Sequence, residues 1–96
     1  MELYIFGRFH VRAGREHEME TALREVISAT RQEAGCLSIH SFRSVTDRSL
    51  FYIHSRWTDD AAFEIHAGLE HTVRFIERVD SLVDQPREVT RARMMG

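Results

Sequence analysis

Residues 36–57 read CLSIHSFRSVTDRSLFYIHSRW, and this stretch decides the fold of the chain. Cys36–Ser44 and Leu50–Trp57 are both rich in aromatic and β-branched residues at alternating positions, which is typical of β-strands. The polar residues 45–49 join the two runs. Two such runs with a short polar connection predict a β-hairpin.

The segments before the hairpin predict one strand and one helix. From Glu2 to Arg12 the side chains alternate with a period of two, as they do in a strand. From Arg15 to Glu33 the apolar positions instead follow the spacing of an amphipathic helix, opposite a charged face. Gly35 then marks the end of the helix, since glycine is common just after a helix C-terminus.

The segments after the hairpin predict a broken helix and a last strand. Asp59 is a candidate N-cap for a short helix over Ala61–Ala67, and Gly68 interrupts the helical pattern. A second apolar stripe continues to Val83, and the run Arg87–Met95 is a weak strand. The order β-α-β-β-α-β predicts an α+β fold of the ferredoxin-like type, a four-stranded antiparallel sheet with helices on one face.

Strand parity leaves the other face of the predicted sheet uncovered. The even-numbered residues on that face are mostly aromatic or imidazole side chains: Tyr4, Phe6, His40, Phe42, Tyr52 and His54. An exposed aromatic patch of this kind is typical of an interface. A chain of 96 residues also buries only about 60–65% of its unfolded surface. Both observations predict a homodimer in which the open faces of two sheets pack together.

The composition favours one domain over residues 1–96 and disfavours several kinds of partner. Thirteen arginines and fifteen acidic residues leave a net charge of −2, and the arginines are scattered, so we expect no nucleic-acid partner. The chain has no leader-like start and no apolar run of about 20 residues, so we expect a cytoplasmic protein without membrane association. The single cysteine, Cys36, suits a reducing compartment. The absence of lysine excludes Schiff-base chemistry through a lysine amine.

Small side chains on neighbouring strands predict a cavity beneath the helices. Gly7, Ser41 and Ser55 are expected on the helix-facing side of three strands, flanked by larger apolar residues. A cavity with aromatic walls and few polar groups suits a small aromatic ligand. The alternative is that helix side chains such as Phe63 or Phe75 fill this space.

Two histidines flank the Gly68 break and are the candidates for acid–base chemistry. His66 and His71 carry imidazoles, which titrate near neutral pH. A metal site formed by this pair is disfavoured, because zinc would need two further ligands. Trp57 is either a core residue or a wall that stacks on a planar substrate. No phosphate loop, nucleophile elbow or paired-carboxylate motif occurs in the sequence.

Four segments resemble the antibiotic biosynthesis monooxygenase family, which includes small quinol monooxygenases. They are Gly7–Arg15, Arg31–Leu37, Phe51–Trp57 and His66–Phe75. They occur in the family order and span most of the chain. The resemblance implies a ferredoxin-like protomer whose homodimer forms an α+β barrel. It also implies insertion of oxygen from O₂ into a small aromatic, phenolic or quinol substrate without a metal or flavin cofactor.

The resemblance also implies roles for particular residues. His66 or His71 would be the base that deprotonates the substrate. The residues expected around the substrate are Gly7, Ser41, Ser55, Trp57, Phe63 and Phe75. Arg8 or Arg74 would stabilise the substrate anion if either side chain points inward.

The chain departs from the family pattern, and two other functions remain open. Relatives commonly carry a glutamate two residues before the strand-ending tryptophan, where this chain has Ser55. The haem-degrading relatives rely on Asn, Trp and His, whereas this chain has no Asn and has His66 at the Trp position, which disfavours haem degradation. An isomerase of a small phosphorylated metabolite would need arginines inside the cavity. A dimeric ligand-binding domain without enzymatic activity is the other alternative.

Overall fold

A computed structural model describes residues 1–96 as a four-stranded sheet and three helices. The elements are β1 (Leu3–His10), α1 (Glu16–Thr30), β2 (Cys36–Arg43), β3 (Leu50–Trp57), α2 (Asp60–Gly68), α3 (Glu70–Leu82) and β4 (Glu88–Ala92). The strands are antiparallel in the order β2-β3-β1-β4. This is the predicted ferredoxin-like arrangement, with the second helix divided in two. None of the three helices combines the length and the apolar character that crossing a membrane requires.

Local backbone chemistry accounts for where the elements begin and end. Gly14 has a φ of 90°, which favours glycine, and it turns the chain from β1 into α1. The carboxylate of Asp59 caps α2, as predicted, by accepting a backbone N–H of its first turn at 2.8 Å. Leu69 has an extended backbone with a ψ of 149°, so α2 and α3 cannot form one helix. The last strand is shorter than the predicted Arg87–Met95, because pairing with β1 is confined to Glu88–Ala92.

The helices cover the face of the sheet that carries the odd-numbered residues, as strand parity predicts. Buried side chains alternate with more exposed ones along β1 and β3. The larger core cluster includes Phe9, Met19, Leu23, Val26, Ile39, Phe51, Phe75 and Val79. A smaller cluster of Leu3, Ile5 and Trp57 packs against Ala62 and Phe63 of α2. Residues of both clusters line the cavity described below.

The other face of the sheet carries exposed aromatic side chains. Phe6, Phe42 and Tyr52 are 50%, 53% and 38% exposed. The ring of Phe6 lies 4.8 Å from that of His54 on the neighbouring strand, measured between centroids. These rings form a continuous surface that no helix of the same chain covers.

Candidate functional site

A cavity of about 400 Å³ lies between the sheet and the helices. Eleven of its 18 lining residues are hydrophobic, so a ligand would be held mainly by apolar contacts. Gly7 lies on its floor, and a Cβ atom there would lie 3.0 Å from the ring of Phe9. Phe63 and Phe75 line the cavity without filling it. The space is large enough for a small aromatic molecule.

Four of the six residues expected around a substrate line this cavity. They are Gly7, Ser55, Phe63 and Phe75. Ser41 is exposed and borders a separate depression beside α1, whereas Ile39, two residues earlier on the same strand, lines the cavity. Trp57 is fully buried behind the wall, with its ring 4.6 Å from that of His66 and 5.6 Å from that of Phe63. Trp57 therefore supports the cavity wall and does not line it.

His66 and His71 meet at the carboxylate of Glu33, a residue that the sequence did not single out. Oε2 of Glu33 lies 2.8 Å from Nδ1 of His66 and 2.8 Å from Nε2 of His71. An ionised carboxylate only accepts hydrogen bonds, so both imidazoles present an N–H to it. In the neutral rings this leaves Nε2 of His66 and Nδ1 of His71 as acceptors. Glu33 thus sets the tautomer of both histidines.

The turn between α1 and β2 places Glu33 at this position. Its backbone N–H donates to the carbonyl of Thr30 at 3.0 Å, and its own carbonyl accepts from Cys36 at 3.1 Å. Gly35 lets α2 approach this turn, because a Cβ on Gly35 would lie 2.4 Å from the Cβ of Ala62. The side chain of Glu33, which is 12% exposed, is thereby held against the two imidazoles.

His66 is the candidate base on the cavity wall. Its side chain is 10% exposed, and burial lowers the pKa of His66, opposed by the hydrogen bond and the charge of Glu33. The nearby His71 lowers the pKa of His66 further. Burial therefore favours the neutral imidazole, and Nε2 of His66 has no hydrogen-bond partner within the protein. A neutral imidazole with a free nitrogen is the form that accepts a proton.

His71 lies outside the cavity. It is 28% exposed and borders a depression between α1 and α3. Its hydrogen bond to the site is with Glu33, and its ring lies 6.0 Å from that of His66, measured between centroids. Of the two predicted bases, only His66 is placed where it can touch a molecule in the cavity.

The cavity wall has one cationic side chain, that of Arg87, which is paired with Asp80 on α3. Arg8 and Arg74 do not line the cavity. Arg8 pairs with an acidic residue of β4, and Arg74 pairs with one on its own helix. Neither of these two arginines is therefore placed to stabilise a substrate anion.

Glu33, His66 and His71 are the one group of side chains with the chemistry to share a metal ion. Their donor atoms lie within 4.8 Å of one another, and three such ligands match an open zinc site. Both imidazole N–H groups are, however, already satisfied by the carboxylate, and an ion here would have to displace both protons. We interpret the cluster as a hydrogen-bonded base. The sequence disfavours a metal site on the basis of His66 and His71 without Glu33, and the absence of a bound metal stays a prediction.

The fold and the site define a small α+β protein with an apolar cavity and a buried histidine on its wall. The chain belongs to the antibiotic biosynthesis monooxygenase family, whose model matches residues 3–78. This match confirms the family membership that the resemblance of the four sequence segments predicted.

Solved structures show the same fold over nearly the whole chain. One, described as an antibiotic biosynthesis monooxygenase, is 24% identical over 98% of this chain and 99% of that chain, with a TM-score of 0.93. PA3566 from Pseudomonas aeruginosa is 28% identical, over 99% and 95% of the two chains, with a TM-score of 0.90. Rv0793 from Mycobacterium tuberculosis is 23% identical, over 100% and 97%, with a TM-score of 0.94. No curated protein matches the sequence significantly.

Proposed function

We propose that this protein is a cofactor-independent monooxygenase of a small phenolic or quinol substrate. The observation that carries the proposal is the place of His66, a buried imidazole on the wall of an apolar cavity, where burial lowers its pKa and favours the neutral form. Its Nδ1 is held by Glu33, and its Nε2 is free to accept a proton. Membership of the family supports chemistry with oxygen and leaves the substrate open.

The reaction begins when the hydroxyl proton of the bound substrate passes to Nε2 of His66. The O–H bond breaks, an N–H bond forms, and the carboxylate of Glu33 stabilises the resulting imidazolium. The electron-rich aromatic anion supplies the electrons that reduce O₂. One oxygen atom becomes bonded to a ring carbon, which loses its hydrogen. The other oxygen leaves as water with that hydrogen and the proton from His66, and the substrate ends as a quinone.

The cavity binds and orients the aromatic ring. Phe63 and Phe75 offer apolar contacts to a planar molecule. Ser55 accepts the indole N–H of Trp57 at 2.9 Å, which holds the indole behind the wall. Ser55 has no acidic group, and Glu77, the one carboxylate on the wall, is exposed, so His66 is the buried base on this wall.

A phosphorylated substrate fits this cavity less well. A phosphate group needs several cationic or N–H donors around it. The single cation on the wall, Arg87, is already paired with Asp80. The composition of the wall therefore favours an aromatic substrate over the isomerase alternative.

The proposed activity is tested by incubating metal-depleted protein with menadiol or a hydroxynaphthalene under ¹⁸O₂. We expect one labelled oxygen atom per product molecule by mass spectrometry, at a rate that EDTA treatment leaves unchanged. A rate that falls with EDTA and returns with an added metal would contradict cofactor independence. If phenols and quinols bind but no product carries label, the chain is a ligand-binding protein instead.

We also propose that the chain forms a homodimer through the open face of its sheet. The exposed rings of Phe6, Phe42 and Tyr52 would be buried against the same face of a second copy. Light scattering is expected to give twice the mass of the chain, and Phe42→Glu is expected to give the mass of one chain. Val45→Glu is the matched control, since Val45 is fully exposed in the hairpin loop. A monomeric wild type would contradict the dimer.

A further inference from the structure

The hydroxyl group of Thr30 makes no hydrogen bond with the rest of the protein. Thr30 is the last residue of α1, it is fully buried, and it lines the cavity. Its hydroxyl oxygen is buried and has no hydrogen-bond partner within the protein. Buried hydroxyl groups are almost always paired, so this one needs an explanation.

The helix itself offers Thr30 a partner that it does not take. A threonine in a helix commonly donates its hydroxyl to the carbonyl one turn earlier. Thr21 does so on the same helix, donating to the carbonyl of His17 at 3.2 Å. Thr30 has the carbonyl of Val26 one turn earlier, yet its hydroxyl is unpaired. The lack of a bond is therefore not caused by the lack of an acceptor.

The other hydroxyl groups on the cavity wall are engaged. The hydroxyl of Ser55 accepts the indole N–H of Trp57, and that of Thr72 lies 3.3 Å from Nδ1 of His66. Thr30 is thus left as the hydroxyl on this wall without a contact inside the protein.

Thr30 is also fixed in position relative to the base. Its carbonyl accepts the backbone N–H of Glu33 at 3.0 Å, and the carboxylate of Glu33 holds His66 at 2.8 Å. The same turn therefore sets the places of both groups on an otherwise apolar wall. A few fixed polar groups on an apolar wall are what orient a ligand.

We propose that Thr30 is a specificity-determining residue whose hydroxyl binds a second oxygen atom of the substrate. This rests on the proposed function and narrows its substrate class. One hydroxyl of the substrate meets His66. The side chain of Thr30, whose hydroxyl oxygen is buried in the ligand-free structure, turns toward the cavity and meets a second oxygen, hydroxyl or carbonyl. A threonine hydroxyl both donates and accepts, so it can pair with either kind of oxygen. An analogue with one oxygen leaves this hydroxyl unpaired and is discriminated against.

The test compares two ligands that differ by one hydroxyl group. Thr30→Val removes the hydroxyl and keeps the shape of the side chain. Anaerobic calorimetric titration with 1,4-dihydroxynaphthalene and with 1-hydroxynaphthalene gives a Kd for each ligand without turnover. We expect Thr30→Val to bind the diol about tenfold more weakly and the mono-ol as tightly as wild type. Thr21→Val is the matched control on the exposed side of α1 and is expected to leave both Kd values unchanged.

Several outcomes would overturn the assignment of Thr30. An unchanged Kd for the diol, or equal weakening of both ligands, would do so. A lower melting temperature of ligand-free Thr30→Val would also do so, because it would show that the hydroxyl is bonded within the protein. A preference for the diol that depends on Thr30, without ¹⁸O in any product, would uphold the assignment and reject oxygenation. Failure of wild type to bind either ligand would reject both.

Discussion

Substituting His66 by glutamine is expected to lower kcat for a phenolic substrate by about 10²–10⁴-fold, the contribution of a positioned general base. Glutamine can still donate a hydrogen bond to Glu33, but it has no nitrogen that takes up a proton. KM is expected to change little, because the apolar walls that hold the ring remain. Initial rates of product formation over a range of substrate concentrations measure both quantities.

The pH dependence of the wild-type reaction rate provides a second test of the role of His66. This rate is expected to fall as the pH falls through the pKa of His66, because the protonated imidazole cannot accept a proton. Burial lowers this pKa from its ordinary value, so the rate should persist to lower pH than for an exposed histidine. The charged or titratable groups around His66 are Glu33, His71, Glu77 and Arg87. His17→Gln, on the exposed side of α1, should keep the wild-type profile, whereas wild-type kcat in His66→Gln would place the base elsewhere.

Substituting Gly35 by alanine is expected to destabilise the protein by about 1–3 kcal/mol, the usual cost of forcing an extra group into a packed contact. The added Cβ would lie 2.4 Å from the Cβ and 3.5 Å from the Cα of Ala62, so α2 itself must move. Because α2 carries His66, the shift should lower activity as well. Thermal unfolding measures the first effect, at about 4–8 °C per kcal/mol for a chain of this size.

Two further variants separate this contact from a general effect of replacing glycine. Gly68→Ala is the matched control, because a Cβ on Gly68 would meet no atom within 4 Å. Ala62→Gly removes the group that the new Cβ meets, so it should restore part of the stability lost in Gly35→Ala. An unchanged melting temperature in Gly35→Ala would show that α2 does not pack on this turn.

The order of the elements could be predicted from the sequence because each carries a clear hydrophobic period. Alternation in Leu50–Trp57 and helical spacing after Arg15 depend only on local residues. The ends were less accurate, since they depend on partners distant in sequence. The last strand illustrates this. Its length is set by pairing with residues 4–8 of β1, and that pairing extends only over Glu88–Ala92.

The site could be predicted only in part. His66 and Gly7 were found because their types and their places in the pattern are unusual, and both line the cavity. Ser41 shares the helix-facing parity with Ile39, but it lies farther along β2 than the cavity extends, and the extent of the cavity depends on how the helices pack on the sheet. Glu33 was missed because it lies more than thirty residues from its partners, and their meeting depends on how the turn packs on α2. The one local signal that pointed to Glu33 was its position two residues before Gly35, in a segment that resembles the family sequence.

The rate of 1-hydroxynaphthalene oxidation by His66→Ala with added imidazole tests most directly whether a base at this position takes the substrate proton. The substitution removes the ring next to Glu33 and leaves a space that free imidazole can enter. We predict a rate that is low without imidazole and rises with the concentration of its neutral form, whereas imidazole leaves the wild-type rate unchanged. A rate in His66→Ala that does not respond to imidazole, with substrate binding established by anaerobic calorimetry, would contradict the role of His66 as the base.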